Sequence, residues 1–199
     1  LRTAPVMMAF ASDMEQVCPD AWFLNYTNPM CAVTGAVLRG TDIRAVGLCH
    51  SVQACASGLL RRVGMLDDVQ DLQWRIAGIN HQAWLLEVTD GGKDLYPEIK
   101  RRAAKMNREA RKAGAEKHTD MVRFEMMRHF GYYVTESSEH SAEYMPYWIK
   151  DRYPELIEEF NIPLDEYPRR CIRQIERWRE RSHELVSNKK LTHKRTHEY

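Results

Sequence analysis

Long apolar runs are missing from this sequence: no stretch approaches the roughly 18 residues that a membrane span requires. The first residues also lack a secretory pattern, so a cytoplasmic location is expected. Neither sign of charge dominates, because 29 Lys plus Arg stand against 28 Asp plus Glu in 199 residues. No nucleic-acid or membrane partner is therefore expected. The five cysteines (18, 31, 49, 55 and 171) are too few and too irregular for a disulfide scaffold. A Gly-rich phosphate loop and the Gly-x-Gly dinucleotide fingerprint are absent, as are internal repeats and low-complexity segments. The chain opens on Leu1-Arg2-Thr3 without Met and stops in a charged run, so it is expected to be part of a longer protein.

What is present is an alternation of short apolar runs and helical periods. Met7, Phe10, Met14 and Val17 keep helical spacing between Pro5 and Pro19, which predicts a helix over 5–17. Residues 21–26 read as a buried strand, 29–39 as a helix stopped by Gly40, and 43–48 as a second strand. Strand, helix, strand with short connections is a βαβ unit with parallel strands and a right-handed crossover. Asn25 and Asn28 then lie at the carboxyl end of one strand, Cys49 and His50 at that of its neighbour, and open parallel sheets bind ligands along this edge.

Further on, Ser51 is expected to cap a helix over 52–63 closed by Gly64. Residues 72–79 and 83–89 read as strands interrupted by Asn80-His81, and Asp90-Gly91-Gly92 as a turn. The Arg-, Lys- and Glu-rich stretch 97–113 is expected to be a solvated helix. Thr119 or Asp120 caps a helix carrying Val122, Met126 and Phe130 and ended by Gly131, whereas 132–140 carries no period that assigns it. A long helix over 166–188 aligns Cys171, Ile175, Trp178, Ser182 and Leu185 and should pack on a neighbour. The basic stretch from Lys189 to Arg195, with His193 and His197 near it, reads as solvated surface. The fold class expected is α/β: residues 1–50 as the C-terminal part of a Rossmann-like parallel sheet, and 51–199 as part of a mixed α/β or α+β substrate and metal domain.

Cys49 precedes a helix N-terminus, which favours the thiolate that binds metals. A single cysteine at a strand end is more often a small packed hydrophobe. The grouping matters more: Cys49, His50 and His81 each follow a strand pattern, so one cleft can gather a thiolate and two imidazoles beside the Asn pair. Two protein ligands leave coordination positions open, as a catalytic metal needs, and ligand softness alone suggests zinc. The other four cysteines and the methionine-rich stretches read as core or helix-face residues.

Four ordered blocks carry a resemblance. They are Asn25-Tyr26-Thr27-Asn28-Pro29-Met30, Gly47-Leu48-Cys49-His50-Ser51-Val52-Gln53, Ala77-Gly78-Ile79-Asn80-His81 and Val134-Thr135-Glu136-Ser137-Ser138-Glu139-His140. In these blocks, and over residues 1–178, the sequence resembles glycoside hydrolase family 4, most of all its α-galactosidase subgroup. The resemblance implies a cytoplasmic glycosidase that depends on NAD and a divalent metal, Mn²⁺ in place of the zinc that softness suggested. It further implies a Rossmann half related to lactate and malate dehydrogenases. This family departs from the two-carboxylate scheme of most glycoside hydrolases. Its reaction oxidises the sugar at C3, removes the C2 proton, expels the leaving group by elimination, adds water and reduces C3 again.

Carried over by position, the resemblance makes Cys49 and His81 the metal ligands, Asn28 a sugar-binding residue and Asn25 a residue of the cofactor edge. His50 would bind substrate and assist the leaving group, and a histidine suits proton donation near neutral pH. Tyr133 is the first choice for the C2 base, followed by Glu139, with His140 at the substrate and Arg123 a further contact. The NAD-binding turn and its ribose-binding acid would lie before Leu1, so this chain alone is expected to bind NAD poorly and to turn over little. The partner expected is a small α-galactoside, with a homo-oligomer at full length. Alternatives left open are a family 4 α-glucosidase or α-glucuronidase, a 2-hydroxy-acid dehydrogenase of related fold, and an inactive truncated remnant.

Overall fold

The structure, a computed structural model, describes residues 2–188. It opens with helix α1 (Thr3–Val17), followed by β1 (Trp22–Asn25), α2 (Met30–Gly40) and β2 (Arg44–Gly47). β1 and β2 pair in parallel with Asn25 opposite Gly47, and α2 is the crossover, so the expected βαβ unit is present. Ala11, Val37 and Ile43 are buried between the helices and this strand pair. The Asn28–Pro29 peptide that leads into α2 is cis.

Helix α3 (His50–Arg62) begins two residues before the position that a Ser51 cap predicts. Cys49 takes the N-cap position in extended backbone, and no side chain caps the helix. Cys55, Ala56, Leu59 and Leu60 form its buried face, at the spacing of a helix stripe. They join Leu85, Val88, Ile99 and Phe124 in the largest core cluster.

That core lies on an antiparallel sheet of β3 (Leu72–Ile79), β4 (Gln82–Asp90), β5 (Lys93–Asp94) and β6 (Tyr133–Val134). β3 and β4 are joined by the two-residue turn Asn80-His81, with Ile79 paired to Gln82. His81 adopts φ 63°, in the left-handed region where a residue with a β-carbon is uncommon. Gly78 before it has φ 137°, and a β-carbon there would lie 2.5 Å from Ala83 Cα, so only glycine fits without a shift.

Helix α4 (Tyr96–Ala110) corrects the expectation of a solvated helix. Tyr96, Ile99, Ala103, Asn107 and Ala110 bury one face of it, while Arg and Lys residues take the other. Charge count hid a normal amphipathic stripe. Helix α5 (Met121–Phe130) ends on Gly131 at φ 86°, as its sequence predicts. The unassigned stretch after it contains β6 and helix α6 (Ser138–Tyr144), capped by the Ser137 hydroxyl, which accepts from the His140 N–H. Helices α7 (Glu155–Glu159) and α8 (Glu166–Asn188) complete the described residues.

α8 has the expected limits, but the stripe expected to pack is open: Ile175 is 54% and Trp178 70% exposed. The basic stretch from Lys189 onward lies outside the described residues. Among those described, no helix is long and apolar enough to cross a membrane.

Candidate active site

The carboxyl edge of the parallel pair is shaped from within. Asn25 is 1% exposed, and its carboxamide donates to Thr34 Oγ1 (2.9 Å) and Met30 O (3.3 Å) and accepts from the Thr27 N–H (2.9 Å). Expected at the cofactor, Asn25 instead holds the turn after β1. Asn28 is exposed on that turn, with its side-chain oxygen accepting from the Met30 N–H. Across the edge, the half-buried Cys49 closes β2 against α3, and the exposed His50 stacks 4.6 Å from the Tyr26 ring.

The second wall comes from the antiparallel sheet. His81 Nε2 lies 3.3 Å from Glu136 Oε2, and the same carboxylate oxygen accepts from Ser51 Oγ at 3.1 Å. The Ser51 hydroxyl, expected to cap α3, therefore points across to the other sheet. The His81 and His140 rings are 6.1 Å apart, and the Tyr144 ring follows 5.9 Å from His140. Two polar atoms here are buried with no hydrogen-bond partner, Asn80 Nδ2 and His140 Nδ1. Glu139 and Glu143 carboxylates stand 3.6 and 3.5 Å from that His140 nitrogen, too far for a good hydrogen bond.

Beside these residues lies a cleft of about 800 Å³ whose lining includes His50, Ser51, Arg62, Asp120, Glu136 and Glu139; Asn28, Cys49, His81 and His140 are not among its lining residues. Its floor is a closed ionic network. Asp120 accepts from Tyr133 OH (2.6 Å) and pairs with Arg62 Nε (2.7 Å) and Arg123 Nη1 (3.3 Å). Arg123 also donates to the carbonyls of Val134 and Thr135, and its guanidinium stacks 4.0 Å over the Tyr133 ring. The Asp120 carboxylate, expected to cap α5, is consumed here instead. Burial, the largest influence, opposes the Arg123 charge, yet Tyr133 and Asp120 hold its pKa above the ordinary arginine value. Burial pushes the Cys55 thiol beside it up to about 11, which keeps it protonated and inert.

Tyr133 sits differently from the expectation of a C2 base. It is 0% exposed, its hydroxyl is committed to Asp120, and burial raises it well above the ordinary tyrosine value. Its hydroxyl is thus engaged within the protein, and Tyr133 is not among the residues that line the cleft. Arg123, expected to contact substrate, is likewise committed to the floor. Glu139 does line the cleft, and burial, the largest influence, raises its carboxyl although His140 and Arg170 lower it. Sequence reasoning missed Glu136 and the Asp120 network. Glu136 stands inside a quoted block beside Glu139, and only the pairing of β6 with β4 shows which of the two faces His81.

Cys49 and His81 offer one sulfur and one nitrogen, and Asn80 Nδ2 and His140 Nδ1 are buried polar atoms near His81 without a hydrogen-bond partner. A sulfur and an imidazole nitrogen are donor types that divalent cations accept. Among the described residues no group of three or more His, Cys, Asp or Glu is placed to hold a metal ion. The Asn25 carboxamide is engaged within its own turn and is not free to contact a dinucleotide.

The comparisons with known proteins agree with the blocks that built this site. Residues 1–65 match the family described as family 4 glycosyl hydrolase, and residues 76–199 match the family 4 glycosyl hydrolase C-terminal domain. The chain belongs to glycosyl hydrolase family 4. It is 62% identical over all 199 residues to an α-galactosidase of Bacillus subtilis (strain 168), covering 44% of that protein. It is 34% identical to an α-galactosidase of Rhizobium meliloti (strain 1021), over 78% of this chain and 30% of the relative. A crystal structure of a 6-phospho-α-glucosidase from gut microorganisms, in complex with NAD and Mn²⁺, superposes with a TM-score of 0.65 at 24% identity, covering 96% of this chain and 44% of that one. That likeness shows the shared Rossmann-like α/β fold. The chain thus spans less than half the length of these relatives.

Proposed function

We propose that this chain carries the metal-binding and substrate-binding part of an NAD- and Mn²⁺-dependent glycosidase that acts on α-galactosides. The observation that carries the reaction class is the facing pair of walls, with Cys49 on one and His81 on the other, bridged through Ser51 and Glu136. The sugar is inferred from 62% identity along the whole chain to an α-galactosidase. Support for the two cofactors comes from the superposed relative that holds both. When bound, NAD would supply reversible hydride transfer and the cation a positive charge beside the sugar.

The residues of this chain divide the remaining work. Cys49 and His81 hold the cation, and Asn28 hydrogen-bonds a sugar hydroxyl. His50, exposed at the mouth and braced by Tyr26, donates a proton to the leaving oxygen. Glu139 takes the C2 proton in place of Tyr133, because it lines the cleft and burial brings its carboxyl toward the neutral range where a general base works best. His140 orients the sugar beside it. The site lies in a non-membrane, small-molecule enzyme, which is expected in the cytoplasm and as a homo-oligomer at full length.

The test is an assay of the protein carrying this chain at full length, with p-nitrophenyl α-galactoside and α-glucoside, with and without NAD⁺ and Mn²⁺. Expected is cleavage of the galactoside that needs both additions and is lost in Glu139→Gln. Cleavage of the glucoside alone would replace the sugar assigned here, and net NADH formation without cleavage would replace the reaction.

A further inference from the structure

We infer that Glu136 is a positioning residue, the carboxylate that sets His81 against Cys49 and so fixes the spacing of the two candidate ligands. This rests on the reading of Cys49 and His81 as the cation's ligands. No hydrogen-bonded ladder joins the parallel pair to the antiparallel sheet among the described residues. Cys49 adjoins the first and His81 the second, so beyond the packing of α3 on β4 their spacing depends on side chains that reach across.

Glu136 spans that gap. One oxygen, Oε2, accepts from Ser51 Oγ at 3.1 Å and lies 3.3 Å from His81 Nε2; the other, Oε1, accepts from the Ser137 N–H at 2.9 Å, which fixes the carboxylate's own orientation. Ser51 stands in the first turn of α3, two residues after Cys49. Holding Ser51 therefore holds the helix end that presents the Cys49 sulfur. The Glu136 side chain is 13% exposed, so water screens its charge less than that of a surface pair.

Its backbone is anchored as firmly. The Thr135 N–H donates to Ala83 O at 3.0 Å, extending the β4–β6 ladder, and Arg123 donates to Thr135 O at 3.2 Å. His81 needs such a partner because it sits at φ 63° in a two-residue turn, where its ring has no strand neighbour to orient it. A carboxylate beside a metal-ligating imidazole both orients the ring and raises its basicity. Loss of such a partner typically weakens metal binding by about 10- to 100-fold.

The experiment is calorimetric titration of this chain with Mn²⁺ under reducing conditions, with a thermal melt of every variant. Cys49→Ala is the control for the ligand reading, Glu136→Gln removes the charge but keeps the shape, Glu136→Asp restores the charge, and Ser51→Ala removes only the link to α3. Expected is loss of binding in Cys49→Ala, a weakening of roughly tenfold or more in Glu136→Gln at an unchanged melting temperature, partial recovery in Glu136→Asp, and a smaller weakening in Ser51→Ala. If Cys49→Ala abolishes binding while Glu136→Gln binds as the unaltered chain does, the role of Glu136 is overturned and the ligands stand. If the unaltered chain takes up no Mn²⁺, or Cys49→Ala binds it equally well, the ligand reading falls and this inference with it. Should Glu136→Gln melt early, Ser51→Ala decides: unchanged affinity there overturns the positioning role.

Discussion

Two neighbouring polar clusters, one lining the cleft and one beside it, differ in how their groups are paired. On the floor, Asp120, Arg62, Arg123 and Tyr133 satisfy one another, and each carboxylate oxygen of Asp120 has a cationic or hydroxyl partner. On the rim, Asn80 Nδ2 and His140 Nδ1 are buried without a hydrogen-bond partner, and His81 stands in a strained turn. Buried polar groups that are fully paired stabilise a unique arrangement, whereas unpaired ones cost stability until a ligand satisfies them.

Breaking the floor should give the largest loss of stability. Arg123→Met strips Asp120 of one charge partner and the Val134 and Thr135 carbonyls of their donor, and a broken buried pair costs about 3–5 kcal/mol. Denaturant titration should show that loss; a change below about 1 kcal/mol would mean that the network does not brace β6. Tyr133→Phe removes only the hydroxyl that donates to Asp120, for about 1–3 kcal/mol. If Tyr133 is structural, its effect on turnover in the full-length protein should be no larger than its effect on folding; a collapse of turnover at full stability would return it to the chemistry.

Rim changes should behave in the reverse sense. Gly78→Ala is the bridging case, since it forces a β-carbon into a left-handed position against Ala83 and so strains the hairpin by about 1–3 kcal/mol. It should weaken Mn²⁺ binding through His81, and unchanged affinity would show that the hairpin's geometry is immaterial. Glu139 gives a smaller effect with a definite sign. Its carboxyl is raised in the fold, mainly by burial, so the folded chain keeps that proton longer than the unfolded chain. The resulting stability is present below the unfolded pKa and lost as pH rises through the folded one. Glu139→Gln should remove that decline in melts taken from about pH 4 to 7; a decline that persists would assign it to other carboxyls.

The sequence showed the rim more clearly than the floor. Asn25, Asn28, Cys49, His50 and His81 follow short strands, and strand ends can be read from apolar runs and turn residues. The βαβ unit, the 72–90 hairpin and the Gly131 stop rest on the same local signals. What escaped was everything set by pairing at a distance. Glu136 and Glu139 look alike in sequence and both line the cleft, but only Glu136, just past β6, also reaches His81. Asp120 and Ser51 were expected as helix caps because local rules see only the chain neighbour, whereas their actual partners lie on other elements. Tyr133 drew attention as the tyrosine of its block, but an inward-facing strand position sealed it.

The measurement that tests the account most directly is Mn²⁺ titration of the unaltered chain beside His81→Ala and Cys49→Ala, with circular dichroism confirming that all three are folded. We expect one cation per chain for the unaltered protein and none for either variant. Binding that survives both substitutions in folded protein would contradict the two-walled site and the function built on it.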